Sequence, residues 1–319
     1  MQDPIEEYLV DVKSSGKSEG TFRVRRRDLR KYDAYLEERG LNVTEVREKD
    51  VHRFLREQGL QYADNTVDKV YDSVKLLYDY LTGIGDLMDE DDHPLEELKR
   101  SEYSGNGKDK SSQGEVVYVT PEEVKLLCEN VPDGHALRDE LIIRLMFQTG
   151  VRAGELVNIT LDDMDREERS IEVHAQKTDT TRTVYWQPSL DFLLDQWIDG
   201  GYRDALVPSE YLFPTNQSEH LTVYRLNTMI RVTAKEAGVQ EVMYEDAAGN
   251  PRRRVTPHAL RHGHAVEALK SGIDVRRVQA HLGHEKLDTT MQYLRVIDED
   301  VKQAFQRFGT RPDDEGTVA

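Results

Sequence analysis

The chain is 319 residues long and 37% hydrophobic, with 43 basic against 61 acidic residues, a net charge of −18 and one cysteine. That length favours two domains, the charge excludes a surface that is basic throughout, and a single thiol excludes an intrachain disulfide and fits a reducing compartment. No stretch approaches the roughly 18 apolar residues of a membrane span, and Met1 to Val10 lacks the basic-then-apolar order of a signal peptide, so a cytoplasmic protein with no membrane partner is expected.

Residues 1–100 read as a helical domain. Phe22, Leu29, Tyr32 and Leu36 recur at three- and four-residue spacing up to Gly40, a natural stop. Val67, Val70, Tyr71, Val74, Leu77, Tyr78 and Leu81 repeat the pattern, with a shorter helix marked by Val51, Phe54 and Leu55 between them. The sum is four or five helices. Arg23, Arg25, Arg26, Arg27, Arg30 and Lys31 crowd the first long one. A solvated face accounts for such a run; on a helix laid against a groove it also supplies phosphate contacts. Arg252, Arg253 and Arg254 form a second basic segment, so an acidic chain can still carry a basic groove.

From Ser101 to Glu115 the chain is rich in Gly and Ser with almost nothing apolar, which reads as a linker over 101–115 and places a second domain at 116–319. There Thr120, Pro121 and Glu122 open a helix on which Val124, Leu127 and Cys128 share a face, so the thiol reads as core rather than nucleophile. Leu137, Leu141, Ile142, Leu145 and Met146 mark a buried helix ending at Gly150. Ile171, Val173 and Ala175 alternate as a strand, and after Gln176–Thr180 the β-prone run Thr181–Trp186 completes a hairpin. Helices are expected over about 222–237, 257–271, 274–282, 289–295 and 298–308, so the fold is mainly α with a small β-hairpin or sheet (α+β).

The segment Thr256-Pro257-His258-Ala259-Leu260-Arg261-His262 carries the strongest chemical signal. Thr256 is a good N-cap and Pro257 a good first helical residue, which puts His258 and Arg261 in the first turn on one face. Unpaired N–H groups and the positive helix end there attract phosphate, and the arginine fork binds two of its oxygens. An arginine at a helix start can equally pair with a carboxylate. Downstream, however, come Leu282-Gly283-His284 and Thr289-Thr290-Met291-Gln292-Tyr293-Leu294, and upstream stands Thr149-Gly150-Val151-Arg152-Ala153-Gly154-Glu155-Leu156.

These residues resemble the tyrosine recombinase, or phage integrase, family, whose boxes are Thr-Gly-x-Arg-x-x-Glu-Leu, His-x-x-Arg-His, Leu-Gly-His and a tyrosine. The resemblance covers the second half and extends more weakly to the first, which looks like the family's helical core-binding domain. It implies a site-specific DNA recombinase that cleaves and rejoins DNA through a 3′-phosphotyrosine bond on Tyr293, exchanging strands between two sites. Arg152 and Arg261, assisted by His284, would grip the non-bridging oxygens. His258 would accept the phenolic proton and Lys177 would protonate the departing 5′ oxygen, although its turn lacks the glycine usual in the family. Glu155 reads as a brace for Arg152, and His262 as structural. Its spacing from His258, with His281 and His284 as further imidazoles, also suits a zinc site, but the arginines between them oppose a cation; no metal or other cofactor is implied.

The implied partners are double-stranded DNA carrying a target site and further protomers, as a homotetramer or a heterotetramer with a related recombinase. A last helix capped by Asp298 would dock on a neighbour or on its own domain. The proportions resemble those of a simple Xer-type enzyme or a compact viral or plasmid integrase. A type IB topoisomerase-like relaxing enzyme and a catalytically inactive DNA-binding protein are the alternatives, with a metal-dependent nuclease behind them. The acidity, with arginine outnumbering lysine, is similar to that of proteins from salt-accumulating organisms.

Overall fold

The structure, a computed structural model, describes residues 3–103, 116–175, 180–245 and 251–297. The chain divides into two compact units, residues 1–113 and 114–319, each with its own core.

The first unit contains α1 (Pro4–Ser14), α2 (Glu19–Arg39), α3 (Glu48–Gln61) and α4 (Asp64–Thr82). Each starts or stops where local chemistry dictates. Ser18 accepts a hydrogen bond from the N–H of Thr21 and opens α2, and Gly40 ends it with φ 62°, a left-handed conformation that glycine adopts without a Cβ penalty. The apolar repeat of α4 from Val67 to Leu81 is buried against α2, each large side chain contributing about 2 kcal/mol. Two of the buried phenols satisfy each other, Tyr32 and Tyr78 meeting at 2.7 Å while Tyr78 also donates to the carbonyl of Val43.

The second unit is built around α6 (Ala136–Thr149), which packs on α5 (Pro121–Glu129) and most extensively on α10 (Pro257–Lys270). Gly263 allows the close approach of α10, because a Cβ there would overlap the carbonyl of Val119 and the ring of Phe147. A three-stranded antiparallel sheet covers one flank in the order β1 (Met164–Asp165), β2 (Ser170–Ala175), β3 (Thr180–Tyr185), with Ile171 opposite Val184 and Val173 opposite Arg182. Around these lie the single turn α7 (Ala153–Leu156), then α8 (Asp191–Ile198), α9 (Val223–Glu236), α11 (Val275–Leu282) and α12 over 288–297.

The expected mainly helical α+β class is what the chain adopts. The helices expected near 222, 257, 274 and 289 are present; that over 298–308 and most of the expected linker lie outside the described residues. A second hairpin was not anticipated: β4 (Val242–Glu245) pairs antiparallel with β5 (Pro251–Arg253). Cys128 is buried, and burial pushes its thiol up to about 12, in line with a packing role. Among the described residues no helix is long and apolar enough to cross a membrane.

Candidate active site

The site grows from two helix ends. α6 stops at Gly150, with φ 64°; a Cβ there would also come within 2.6 Å of the His264 ring, so conformation and space both require glycine. The open carbonyls of that end are taken by side chains from the C-terminal helices. His264 Nδ1 meets Phe147 O at 2.9 Å, His281 Nε2 meets Thr149 O at 3.0 Å, and Arg261 Nη1 donates to Gly150 O at 2.6 Å.

The end of α11 is closed in the same manner, by arginines. Arg182 Nε donates to His281 O (2.8 Å), Arg261 Nη2 to Leu282 O (2.7 Å) and Arg152 Nη2 to Gly283 O (3.1 Å). Guanidinium groups from β3, α10 and the N-cap of α7 therefore meet over consecutive carbonyls. A helix C-terminus carries partial negative charge, which favours cations at both ends and offsets part of their desolvation.

Glu155 supplies the matching anion. Its Oε1 receives Arg152 Nη1 (2.8 Å) and Arg182 Nη1 (2.9 Å); its Oε2 receives Arg182 Nη2 (2.8 Å) and the backbone N–H of Arg152 (2.7 Å). Burial alone would raise this carboxyl, but the bonds from Arg182 and Arg152 outweigh it and hold it at about 2. The expected brace is thus a bridge between two arginines, and Arg182 is a member of the site that sequence reasoning missed. The available signal was register: Arg182, Val184 and Trp186 share the inward face of their strand.

Arg261 is 1% exposed, and burial with the Arg152 charge beside it lowers it to about 9, still cationic at neutral pH. With Arg152, His258, Asn227 and Thr256 it lines a cavity of about 300 Å³ at the N-terminus of α10, where Thr256 caps the N–H of Ala259 at 3.1 Å. His258 also borders a second cavity of about 750 Å³, shared with Arg231, Arg252, Arg253 and His262. Two guanidinium groups, an imidazole and a helix N-terminus facing one small cavity make an anion site.

Tyr293, on α12, is 1% exposed and packs with Ala265, Val266, Val278 and Leu282. Burial raises its phenol, against the lowering influence of Arg261. The imidazole on that phenol is His262, with Nδ1 2.6 Å from Oη. His258, expected to serve the phenol, lays its ring against His262 with centroids 4.1 Å apart. His284 stacks 6.4 Å from the Tyr293 ring and meets Thr290 Oγ1 through Nδ1 at 2.9 Å. Burial first, then the surrounding cations, depress all three imidazoles, His262 to about 3 and His284 to about 4. Among the described residues no cluster of three or more His, Cys, Asp or Glu is arranged to hold a metal.

Lys177 lies outside the described residues, between β2 and β3 in sequence. Arg254, expected on DNA, is taken by protein: it pairs with Glu123 and Glu241 and donates to Tyr118 O. Its neighbour Arg252 is exposed and Arg253 half-buried. In α2 the basic run is divided. Arg26 and Arg30 are exposed, Arg23 and Arg27 are exposed but paired with Glu19 and Asp28, Arg25 is half-buried, and Lys31 lies 3.9 Å over the Tyr62 ring.

Arginines and a histidine lining an anion cavity, with a buried tyrosine hydrogen-bonded to the next histidine on this helical frame, fit a class of DNA strand-transfer enzymes. The chain belongs to the phage integrase family: residues 118–300 match that family, and residues 5–83 match the phage integrase N-terminal SAM-like domain. It is 28% identical to tyrosine recombinase XerD of Shewanella oneidensis over 317 residues, covering 97% of each chain. It is 33% identical to XerA of Pyrococcus furiosus over 192 residues, 59% of this chain and 60% of that one. In fold it is similar to the XerH site-specific recombinase bound to its difH substrate (TM-score 0.73, 17% identity, 96% of this chain and 84% of that one). It is similar as well to the Tn1549 transposon integrase in complex with transposon right-end DNA (TM-score 0.69, 18% identity, 97% and 100%).

Proposed function

We propose that the chain is a site-specific recombinase that breaks one DNA strand by attack of Tyr293 on a phosphodiester, holds it as a 3′-phosphotyrosine, and rejoins it to a second strand. A phosphodiester repels nucleophiles through its own charge, so cleavage needs cations fixed around the non-bridging oxygens. Arg152 and Arg261 are placed for that, held by Glu155 and the carbonyls of α6 and α11 rather than by flexible stems. The phosphotyrosine conserves the bond energy, so strand joining needs no external energy source.

The observation that carries this reading is that Arg152, Arg261 and His258 line one cavity while Tyr293 of the same chain lies one imidazole away. The same juxtaposition supports cleavage in cis. Similarity to Xer recombinases over nearly the whole chain favours strand exchange between two sites over simple relaxation. The finer assignments extend this reading: Lys177 as proton donor to the 5′ oxygen, phosphate contacts from Arg26, Arg30 and Arg252, a first domain over 1–100 joined by a linker to the catalytic domain, a tetramer on paired sites, and work in the cytoplasm.

A nicked suicide duplex carrying the cognate site tests it. Wild type should give a slow-migrating covalent band on a denaturing gel, with or without chelator. Tyr293→Phe should give none, and Arg152→Ala or Arg261→Ala should slow its appearance by about a hundredfold or more. A band that survives Tyr293→Phe, or cleavage that chelator abolishes, overturns the reading.

A further inference from the structure

We propose that His264 and His281 are positioning residues for strand cleavage: their ring N–H groups hold the carbonyls at the end of α6, and with them the turn that sets Arg152 and Arg261 on the phosphate. This rests on the reading of those two arginines as the phosphate grip. It extends that grip to two side chains that line neither of the site's cavities.

A helix leaves its last carbonyls without partners, and α6 ends at Gly150 in the left-handed conformation. Three of those carbonyls go to side chains from later in the chain. Phe147 O receives His264 Nδ1 at 2.9 Å, Thr149 O receives His281 Nε2 at 3.0 Å and Gly150 O receives Arg261 Nη1 at 2.6 Å. Thr149 is 0% exposed, so water does not replace its bond, and a buried carbonyl left unmet is costly.

The two rings act as one unit. They stack 5.0 Å apart at 25°, and Tyr185 of β3 continues the column 6.5 Å from His281. The His264 ring fills the space that a Cβ on Gly150 would need. His264 belongs to α10, which carries Arg261; His281 belongs to α11, and the carbonyl of Gly283 just after it receives Arg152. The column therefore ties the end of α6 to both elements that hold the guanidinium groups.

Position follows from these bonds. Gly150, the acceptor for Arg261, is next to Thr149, and Arg152 stands two residues further along the same backbone. A displacement of that turn by about 1 Å moves both guanidinium groups and is enough to slow a reaction by up to about a hundredfold.

The bonds also fix the tautomers. A carbonyl only accepts, so His264 carries its proton on Nδ1 and His281 on Nε2. Burial is the largest influence on both rings and lowers them, His264 to about 3, so each is neutral at physiological pH with a single N–H to give.

Two pairs of variants separate the donor from the bulk of the ring. His264→Asn and His281→Gln keep an N–H close to the nitrogen that donates; His264→Phe and His281→Leu keep volume and lose the donor. Single-turnover cleavage of the nicked duplex is measured well below the Tm of each variant, with duplex affinity recorded alongside. The variants without a donor should cleave about tenfold more slowly or worse at unchanged affinity, and those with one should stay within about threefold of wild type. Donor-less variants within threefold of wild type overturn the proposal, as do Asn and Gln variants as slow as Phe and Leu, or a loss that falls on affinity instead of rate. A measurement on the unsubstituted chain is independent of how variants fold: nitrogen NMR at pH 7 should find a proton on Nδ1 of His264 and on Nε2 of His281, and either nitrogen without one overturns the assignment. Failure of the phosphate-grip reading is separate, since it would show as Arg152→Ala and Arg261→Ala cleaving at the wild-type rate.

Discussion

Glu155 neutralises two guanidinium groups at once, and little else in the site has so many partners. Replacing it by Gln leaves Arg152 and Arg182 as like charges with no anion between them. Breaking a buried pair in this way costs about 3 kcal/mol. Urea unfolding of Glu155→Gln should show a loss of that order, and cleavage should slow about a hundredfold because Arg152 loses its carboxylate anchor and keeps only the carbonyl of Gly283. A midpoint equal to wild type would mean that the bridge is ornamental. The two arginines and Glu155 were readable because each occupies a fixed place in a short box. Arg182 was not: a single arginine in a β-prone run has no box, and only its inward register, alternating with Val184 and Trp186, sets it apart. The partner of Tyr293 was unreadable for another reason. His258 and His262 lie one turn apart on α10, and which of them meets the phenol depends on where α12 packs.

At the scale of elements, the helices with a buried stripe were the ones their spacing announced, and the residues that stop them were equally plain. α4, α6 and α10 are examples, with Gly150 closing α6. β4 was missed because Val242, Met243 and Tyr244 are 56%, 47% and 61% exposed; a two-stranded hairpin with no buried face leaves no alternation to read. The junction of α6, α10 and α11 has a consequence for acid stability. His262 and His264 are lowered to about 3 and His284 to about 4, with His258 and His281 lowered as well, all from an ordinary 6.5. Between those values the unfolded chain binds more protons than the folded one, so stability complete above pH 6.5 is lost as pH falls. Glu155, held at about 2, gives up its share only near and below its ordinary 4.5. The Tm of the full chain should therefore fall between pH 6.5 and pH 5, ahead of the carboxylates. A Tm unchanged across that interval would contradict the burial of neutral imidazoles.

For the whole molecule, a net charge of −18 sets a condition on the encounter with DNA. At about 1 M salt the screening length falls to about 3 Å, so acidic self-repulsion fades and only direct phosphate contacts remain effective. If the acidity is an adaptation to salt, the full chain should gain Tm on going from dilute buffer to that concentration; a chain fully folded and active in dilute buffer would argue against it. The site itself depends on Tyr293 being the atom donor to phosphorus, and one measurement addresses that directly. The trapped covalent complex is digested with trypsin and nuclease, and the peptide that carries the nucleotide is sequenced by mass spectrometry. Cleavage after Lys286 and Arg295 isolates Leu287–Arg295, in which Tyr293 is the only tyrosine. The nucleotide is expected on that peptide, at Tyr293; a nucleotide on any other peptide, or strand cleavage with none attached, would contradict Tyr293 as the nucleophile.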